Sequence, residues 1–408
     1  MSDTTHQQTY DQISALIAEG IPESKWPEVA KKQWMNAAYI DQLEFLEELD
    51  TSYQDNPHII LQLAQHYLQN GNYYQAEQTF TRLYAIQPQR TKNLLYIAIC
   101  ALTRRNIKGF ERSLRKLLVK KAHKKIPTLL LMKLIVSVPD AALAYKKIIE
   151  IIERRNIHLS SKEKILLYKK LPHLVKLNPP ENTCKRALIS HDGKQEIACS
   201  PISNSGKTVI MIMTNRTHFG MIPIQTIDRY LASKDITLIT CFDSQHCSGL
   251  QGFKQYSKNI EGSIEYLKDL CGQAKTQHLT VLSNSIGSYG AVHYGLALRA
   301  DNIIIFSGIS DISLKRLQNR DIKQPATVKR MNDILSEDQL DLSQTIHQHT
   351  YKPPIRWIYG QACYIDSFHY KKVADIDNVQ LTPMKLAKQH DTVFQSCLDG
   401  TLLKYLTI

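Results

Sequence analysis

The sequence lacks the features that mark membrane, secreted and cysteine-ligated metal proteins. Its eight cysteines are scattered singly, and no two stand at C-x-x-C spacing. This pattern predicts reduced thiols and argues against a disulfide framework or a metal site. No apolar run approaches the roughly 18 residues that a membrane helix needs. The opening MSDTTHQQTYDQ has no basic stretch followed by an apolar one, so we expect no secretory signal and a cytoplasmic location.

The composition also lacks the bias of a disordered or fibrous chain. Of the 408 residues, 43% are hydrophobic and 22% are charged. These values are ordinary for a globular protein with a sizeable core. At roughly 100–200 residues for each domain, the length predicts two or three domains.

Acidic residues are scarce between residues 90 and 176. That stretch holds 22 Lys and Arg against 5 Asp and Glu, whereas residues 1–89 hold 4 against 12. Most of the formal net charge of +13 therefore comes from basic pairs at Arg104-Arg105, Lys120-Lys121, Lys124-Lys125, Lys146-Lys147 and Arg154-Arg155. A solvated helical face is the simplest interpretation, and a docking surface for an acidic protein partner is the functional alternative. Nucleic-acid binding is disfavoured, because no aromatic residues alternate with the basic ones.

The first half of the chain has the periodicity of α-helices. Between Pro57 and Pro88, two apolar stripes flank a turn at Asn70-Gly71, and small Ala64 and Ala76 would let two antiparallel helices approach closely. This segment resembles a tetratricopeptide repeat, and the matching residues are Leu63, Ala64, Tyr67, Gly71, Ala76, Phe80 and Pro88. A weaker copy follows 34 residues later, and a third around 125–158 is degenerate. An unrelated stack of helical hairpins is the alternative, and stacked helix pairs usually form a concave protein-binding surface.

The helical pattern breaks at Pro179-Pro180, which predicts an all-α domain over 1–180 and a second domain over 183–408. In the second domain, short apolar runs alternate with amphipathic helices, which predicts an α/β fold with a mostly parallel sheet. The predicted helices are Ile224–Ser233, Phe253–Ala274 and Ser288–Arg299. The predicted strands are Val209–Thr214, Ile236–Cys241, Leu279–Leu282, Ile303–Phe306, Ile355–Tyr359 and Val379–Pro383. A hairpin is predicted at 186–201.

The third of these strands runs directly into Ser283-Asn284-Ser285-Ile286-Gly287, and a helix follows. Such a sharp turn needs small residues two before and two after its apex, and Ser283 and Gly287 occupy those positions. The turn projects the Ser285 hydroxyl above the sheet. The segment resembles the G-x-S-x-G nucleophile elbow of the α/β-hydrolase fold, with Ser283 in place of the first glycine. A helix N-cap is the alternative role for Ser285.

The resemblance extends over about 183–408 and implies a nucleophile, an acid and a histidine in that chain order. It assigns the histidine to His390, which is the only histidine after the last predicted strand. It assigns the acid to Asp366, in the loop after Ile355–Tyr359, with Asp311 as the alternative acid. His390 would then take the serine proton, and a buried Asp366 would orient the imidazole.

The resemblance also implies an oxyanion hole of two backbone N–H groups. One would belong to Ile286, and the other to Arg216 or Thr217 in the loop after the first central strand. Removing such a donor typically costs about 2.7–4 kcal/mol in the transition state. Residues 309–354 are expected to form a small cap over the site, and His246 is expected near its mouth, where a loop histidine is more often simply solvated.

These features predict a serine hydrolase that cleaves an ester or thioester through an acyl-serine intermediate, with the helical half docking a partner. The expected substrate is a small-molecule or acyl-carrier ester, and neither a metal nor an organic cofactor is implied. Two alternatives stay open. The same acyl-enzyme could pass its acyl group to an alcohol or amine, as an acyltransferase, or the domain could be an inactive scaffold.

Overall fold

The structure is a computed structural model, and it places the chain in two compact units, Met1–Leu166 and Leu167–Ile408. The residues that it describes are 3–21, 27, 30, 34, 39–119, 128–190, 195–313, 326–385, 387, 390 and 392–406. Within these ranges no helix is both long and apolar enough to cross a membrane.

The first unit is built from helices. Those of the described residues are Asp3–Ala18, Tyr39–Ser52, Pro57–Gln69, Tyr73–Ile86, Lys92–Thr103, Ile107–Val119, Thr128–Ser137, Ala141–Arg154 and Ser161–Ile165. From Pro57 to Val119, each helix packs on the next one along the chain. The Asn56 side chain caps the first of these helices by accepting the His58 N–H at 2.9 Å, and Pro57 occupies its first turn.

Small and aromatic residues alternate in the contact between Pro57–Gln69 and Tyr73–Ile86. Ala64 and Ala76 are fully buried, which lets the two helices approach closely, and Phe80 fills the space beside them. The Phe80 ring also stacks on Tyr96 of the following helix, with 4.7 Å between the ring centroids. The helical hairpins follow the predicted pattern of burial, and their assignment as tetratricopeptide repeats stays a prediction.

The two compact units divide before the predicted boundary at Pro179-Pro180. A π-helical turn at Leu166–Lys170 leads into helix Leu171–Leu177, which contacts helices Ile224–Ser233 and Thr392–Leu398 of the second unit. Leu171, Leu174 and Leu177 are fully buried. Residues 171–177 therefore belong with the second unit, although their helical pattern continues that of the first half.

The second unit is organised around a seven-stranded sheet. The strands are β1 Ile197–Cys199, β2 Lys207–Met213, β5 Thr237–Phe242, β6 His278–Asn284, β7 Asn302–Phe306, β8 Ile355–Gly360 and β9 Val379–Met384. Their order in the sheet is β1-β5-β2-β6-β7-β8-β9, and every neighbouring pair is parallel except β1 with β5. A separate two-stranded ribbon pairs β3 His218–Phe219 with β4 Ile222–Pro223.

Helices follow most of these strands. In the described part of the second unit, after Leu171–Leu177, they are Ile224–Ser233, Ile260–Gln273, Ser288–Ala297, Ala326–Ile334, Leu342–Gln348, Tyr364–Val373, Thr392–Leu398 and Thr401–Tyr405. Single turns of 3₁₀-helix lie at Glu181–Thr183, Ser285–Gly287 and Glu337–Leu340. The core between the sheet and the helices includes the fully buried Trp357, Tyr289, Tyr294 and Phe306.

The six predicted strands are all present, with ends that differ by one or two residues. The predicted hairpin at 186–201 is wrong for its described part, because Ile197–Cys199 pairs antiparallel with β5 instead of with a preceding strand. The predicted helix from Phe253 begins only at Ile260, because the Asn259 side chain accepts the Gly262 N–H and caps the helix there. Of the expected cap at 309–354, residues 314–325 lie outside the described residues.

Candidate active site

Ser285 stands at the turn between β6 and helix Ser288–Ala297. Its backbone has φ of +50°, a left-handed conformation that is rare for a non-glycine residue and typical of functional turns. The turn is tight: a Cβ added to Gly287 would lie 3.0 Å from the Ile212 carbonyl oxygen and 3.5 Å from the Ser283 Cβ. This crowding is the physical reason for the small residues on both sides of the apex.

Three of the predicted site residues are joined by hydrogen bonds. Ser285 Oγ lies 2.8 Å from His390 Nε2, and His390 Nδ1 lies 2.6 Å from Asp366 Oδ1. The Asp366 side chain is fully buried, whereas 21% of the His390 side chain is exposed. Because an ionised carboxylate only accepts, Nδ1 carries the proton and the Nε2 lone pair faces the serine hydroxyl.

The second oxygen of Asp366 is held by two further donors. Asp366 Oδ2 accepts the Gly360 N–H at 2.6 Å and the Ser307 hydroxyl at 3.0 Å. Asp366 also lies in the first turn of helix Tyr364–Val373, where the helix dipole favours a negative charge. These contacts fix the carboxylate in one orientation, and among the described residues no lysine or arginine forms an ion pair with it.

Ser307 and Thr392 are positioning residues that the sequence did not reveal. The Ser307 and Thr392 hydroxyls lie 2.8 Å apart, and the Thr392 N–H donates to Ser307 Oγ at 3.3 Å. Ser307 therefore joins Asp366 to the residue two places after His390. The one signal that the sequence offered for Ser307 was its place directly after β7, at the same sheet edge as Ser285. In the structure, its φ of +46° marks it as a strained turn residue.

Asp311, the alternative acid, makes other contacts. Its buried carboxylate lies 3.4 Å from Lys372 Nζ and accepts the Ser313 N–H at 3.0 Å. Nearby His369 is also buried: the cost of desolvation lowers its pKa to about 4, so its imidazole is neutral at pH 7. In the described residues, the carboxylate that is hydrogen-bonded to His390 is that of Asp366.

The predicted oxyanion donors differ in what they already bind. Ile286 follows the apex serine, at the start of the helical turn that leads into Ser288–Ala297. The Thr217 N–H donates to the Asn215 side chain at 2.9 Å, and the His218 N–H donates to the same oxygen at 3.2 Å. The Thr217 amide could serve an oxyanion only by giving up that bond. The identity of the second donor, Arg216 or Thr217, stays a prediction.

A small cavity of about 50 Å³ opens beside Ile286. Its walls come from the ends of β2 and β5, the loop after β5 and helix Ala326–Ile334, and the residues are Met213, Thr214, Phe242, Asp243, His246, Ser248, Ile286 and Thr327. His246, expected near the mouth of the site, is one of the wall residues. The cavity gives a substrate group a place next to the elbow.

Cys363, Asp366 and His390 have ligand-type atoms within 4.8 Å of one another. Burial raises the pKa of the Cys363 thiol, which disfavours the thiolate that binds metals. The Asp366 oxygen and His390 Nδ1 already share a hydrogen bond. Hydrogen bonding explains the cluster without a metal ion.

No family model matches the sequence, and no curated protein matches it. Several solved structures are similar to part of this chain. MGS-MChE2, an α/β-hydrolase enzyme from the metagenome of lagoon sediments at Mar Chica, Morocco, is 10% identical, with a TM-score of 0.37 over 54% of this chain and 96% of its own. For esterase B from Lactobacillus rhamnosis the identity is 17% and the TM-score 0.38, over 53% of this chain and 82% of its own.

A capsule O-acetyltransferase of Neisseria meningitidis serogroup A is 15% identical, with a TM-score of 0.38 over 52% of this chain and 92% of its own. The strand order and pairing of the structure itself confirm the predicted α/β class with a mostly parallel sheet. These matches cover about half of the chain.

Proposed function

We propose that the second unit is a serine hydrolase that cleaves a small-molecule or acyl-carrier ester or thioester through an acyl-serine at Ser285. The single observation that carries the proposal is the unbroken chain of hydrogen bonds from Ser285 Oγ through the His390 ring to Asp366, with distances of 2.8 and 2.6 Å. Nucleophile, base and orienting acid need this arrangement.

In the first half of the reaction, Ser285 Oγ attacks the acyl carbon while His390 Nε2 takes the hydroxyl proton. The carbonyl π electrons move to oxygen, where the N–H of Ile286 and that of Arg216 or Thr217 would stabilise the oxyanion. Asp366 stabilises the imidazolium through its bond to Nδ1. When the intermediate collapses, His390 returns the proton to the departing alcohol or thiol, and the acyl group stays on Ser285.

In the second half, a nucleophile attacks the acyl-serine and His390 takes its proton. Water gives a carboxylic acid and restores the serine, whereas an alcohol or amine gives an acylated acceptor. The acyltransferase alternative therefore uses the same residues and differs only in the second nucleophile. Product analysis with and without added alcohols and amines separates the two activities.

A fluorophosphonate probe tests the proposal, because it reacts covalently with activated serines. We expect labelling of the native protein, loss of labelling in Ser285→Ala, and normal labelling in Ser283→Ala. Ser283 is the matched control, two residues away and fully buried. A native protein that stays unlabelled beside reactive control hydrolases would leave only the scaffold alternative.

We propose further that the basic stretch at 90–176 docks an acidic protein. Support comes from a groove of about 160 Å³ between helices Ile107–Val119 and Ala141–Arg154. Lys147 in this groove is bound to Glu111 at 2.9 Å and Glu150 at 3.0 Å, and both bonds raise its pKa. Arg115, Arg154 and Arg155 supply the remaining positive charge.

Salt-dependent binding of an acidic polypeptide such as poly-glutamate, measured by fluorescence anisotropy, tests this docking surface. We expect Arg154→Gln with Arg155→Gln to weaken binding. The control is Lys162→Gln, a basic residue of the next helix that does not line the groove. Equal binding by the two variants would contradict the proposal.

A cytoplasmic location fits the eight free cysteines, since reducing compartments keep thiols unpaired.

A further inference from the structure

One basic residue lies in the wall of the cavity beside Ile286, and two others lie close to residues of that wall. His246, in the loop after β5, is the wall residue. The Arg216 guanidinium lies 5.0 Å from the ring centroid of the wall residue Phe242, and Arg330 follows the wall residue Thr327 by one helical turn. None of them belongs to the hydrogen-bonded chain of Ser285, His390 and Asp366. Their convergence on one cavity next to the reactive serine therefore calls for a ligand.

His246 is held in place by a rigid loop. The Asp243 carboxylate accepts the N–H groups of Gln245 at 2.7 Å, Cys247 at 2.6 Å and Gly249 at 2.9 Å. His246 itself has φ of +58°, a left-handed conformation that costs free energy and persists because these bonds impose it. The side chain is thereby fixed at the cavity wall, where either ring tautomer offers one N–H donor.

Arg216 and Arg330 approach the same cavity from two other elements. The Arg216 guanidinium lies 5.0 Å from the centroid of Phe242, a ring that lines the cavity and that contacts the His246 ring edge-on at 5.9 Å. Arg330 follows the wall residue Thr327 by one helical turn. Burial raises the pKa of the Cys247 thiol, and the positive charge of Arg330 lowers it in part.

More basic than acidic groups lie in or near the cavity wall. His246 is in the wall and Arg216 and Arg330 lie next to wall residues, whereas the only wall carboxylate among the described residues is Asp243. That carboxylate is 5% exposed, and its oxygens accept the three backbone N–H groups of its own loop. A ligand in the cavity therefore meets basic donors, which favours an oxygen anion.

We propose that the substrate carries a carboxylate or phosphate group, and that Arg330, His246 and the Arg216 side chain bind this group in the cavity while Ser285 attacks the ester or thioester. This inference rests on the proposed function and specifies its substrate class. The volume agrees with it: about 50 Å³ accommodates roughly three to five non-hydrogen atoms, the size of a carboxylate or a phosphate.

Two pairs of matched substrates test the proposal and distinguish the two sources of charge. The first compares the 4-nitrophenyl monoester of glutarate with 4-nitrophenyl pentanoate, which differ by a carboxylate at the acyl end. The second compares S-acetyl-4′-phosphopantetheine with S-acetyl-pantetheine, which differ by a phosphate in the leaving group. We expect kcat/KM to favour the anionic member of at least one pair by about tenfold, with Ser285→Ala as the background.

Arg330→Gln is the variant, and Lys329→Gln, which removes an adjacent exposed charge from the same helix, is its control. We expect Arg330→Gln to reduce the preference for the anionic substrate by about three- to tenfold, and Lys329→Gln to keep it. Circular dichroism of both variants establishes that they are folded. A preference that is absent from both pairs, or that the two variants change equally, overturns the inference.

A readout that needs no turnover separates this inference from the proposed function. If Ser285 reacts with the fluorophosphonate probe but none of the four esters is cleaved, 4′-phosphopantetheine and glutarate must slow the labelling more than pantetheine and pentanamide, which are uncharged, do. Equal protection overturns the anion site and leaves the nucleophile intact. If Ser285 does not react with the probe and cleaves no ester, the proposed function fails, and the inference about its substrate fails with it.

Discussion

The two units of this protein differ in where they keep their polar side chains. Among the described residues, most buried polar and charged side chains belong to the second unit, whereas the helical unit buries mainly Leu, Ile, Ala and Phe. Burying a polar group costs free energy unless it is hydrogen-bonded. The second unit meets that condition with the bonds around Asp243 and Asp366, and both clusters lie at the carboxyl ends of parallel strands.

The comparison shows which kind of substitution each unit should tolerate. In the helical unit, the core is mainly apolar, so loss of packing should dominate. In the second unit, loss of one hydrogen bond at the sheet edge should affect reactivity more than folding.

The largest effect is expected from Asp366→Asn. The Asn amide would donate where the carboxylate accepts, and this favours the His390 tautomer that cannot take the Ser285 proton. We expect kcat to fall by about 10⁴-fold, measured with the 4-nitrophenyl ester that the protein cleaves best. Asp311→Asn is the control. It breaks the contact with Lys372, so its main effect should be a lower melting temperature, with a much smaller loss of kcat than Asp366→Asn shows. Equal losses of kcat would contradict the assignment of Asp366.

A loss of stability confined to the helical unit is expected from Phe80→Ala. The ring is fully buried and stacks on Tyr96, so its removal leaves a cavity that costs about 3–5 kcal/mol. Thermal unfolding followed by circular dichroism measures the shift, and fluorophosphonate labelling of Ser285 reports on the other unit. Tyr53→Ala, which truncates an exposed aromatic residue in the same unit, should change neither. A variant as stable as the native protein would contradict the packing described for these helices.

A smaller effect on rate is expected from Ser307→Ala. The variant loses the hydroxyl that donates to Asp366 and accepts from the Thr392 N–H, so the His390–Asp366 pair is less well oriented. We expect kcat to fall by about tenfold, close to 1.4 kcal/mol, with KM little changed. Ser310→Ala, which removes another buried hydroxyl after β7, is the control. A rise in KM at constant kcat would indicate substrate binding instead of positioning.

The smallest effect is expected from Ser283→Ala. The Ser283 hydroxyl is buried and makes no hydrogen bond, so removing it relieves an unsatisfied group without creating a large cavity. We expect the free energy of unfolding to stay the same or to rise by no more than about 1 kcal/mol, and the melting temperature to rise slightly with it. Calorimetry measures the change, and a clear loss of stability would indicate a role for this hydroxyl.

The sequence predicted the features of the fold and the site that depend on local patterns of residues, and it missed those that depend on contacts between residues far apart in the chain. Apolar runs such as Ile303–Phe306 identified the strands, because buried parallel strands are apolar on both faces. The turn around Ser285 resembles a nucleophile elbow, and the chain order that this resemblance implies led to the prediction of Asp366 and His390. The three side chains are joined in the structure, and their catalytic roles stay a prediction.

The features that the sequence did not predict depend on contacts between distant residues. Ser307 and Thr392 are 85 residues apart, and no local pattern links them. Strand β1 pairs with β5 across some 40 intervening residues, and no local pattern shows that pairing. The residue types His191-Asp192-Gly193, which lie outside the described residues, suggested a local hairpin instead. Helix Leu171–Leu177 has an ordinary helical pattern, and only its packing assigns it to the second unit.

If Ser285 is the activated nucleophile, as proposed, a fluorophosphonate should modify this residue. Locating the modified residue tests the assignment. Intact-protein mass spectrometry followed by peptide mapping gives the number and position of the adducts. We expect one adduct per chain, on the peptide that contains Ser285, and much slower formation of that adduct in Asp366→Asn. An adduct on a different residue, or equally fast labelling of the two proteins, would contradict the assignment.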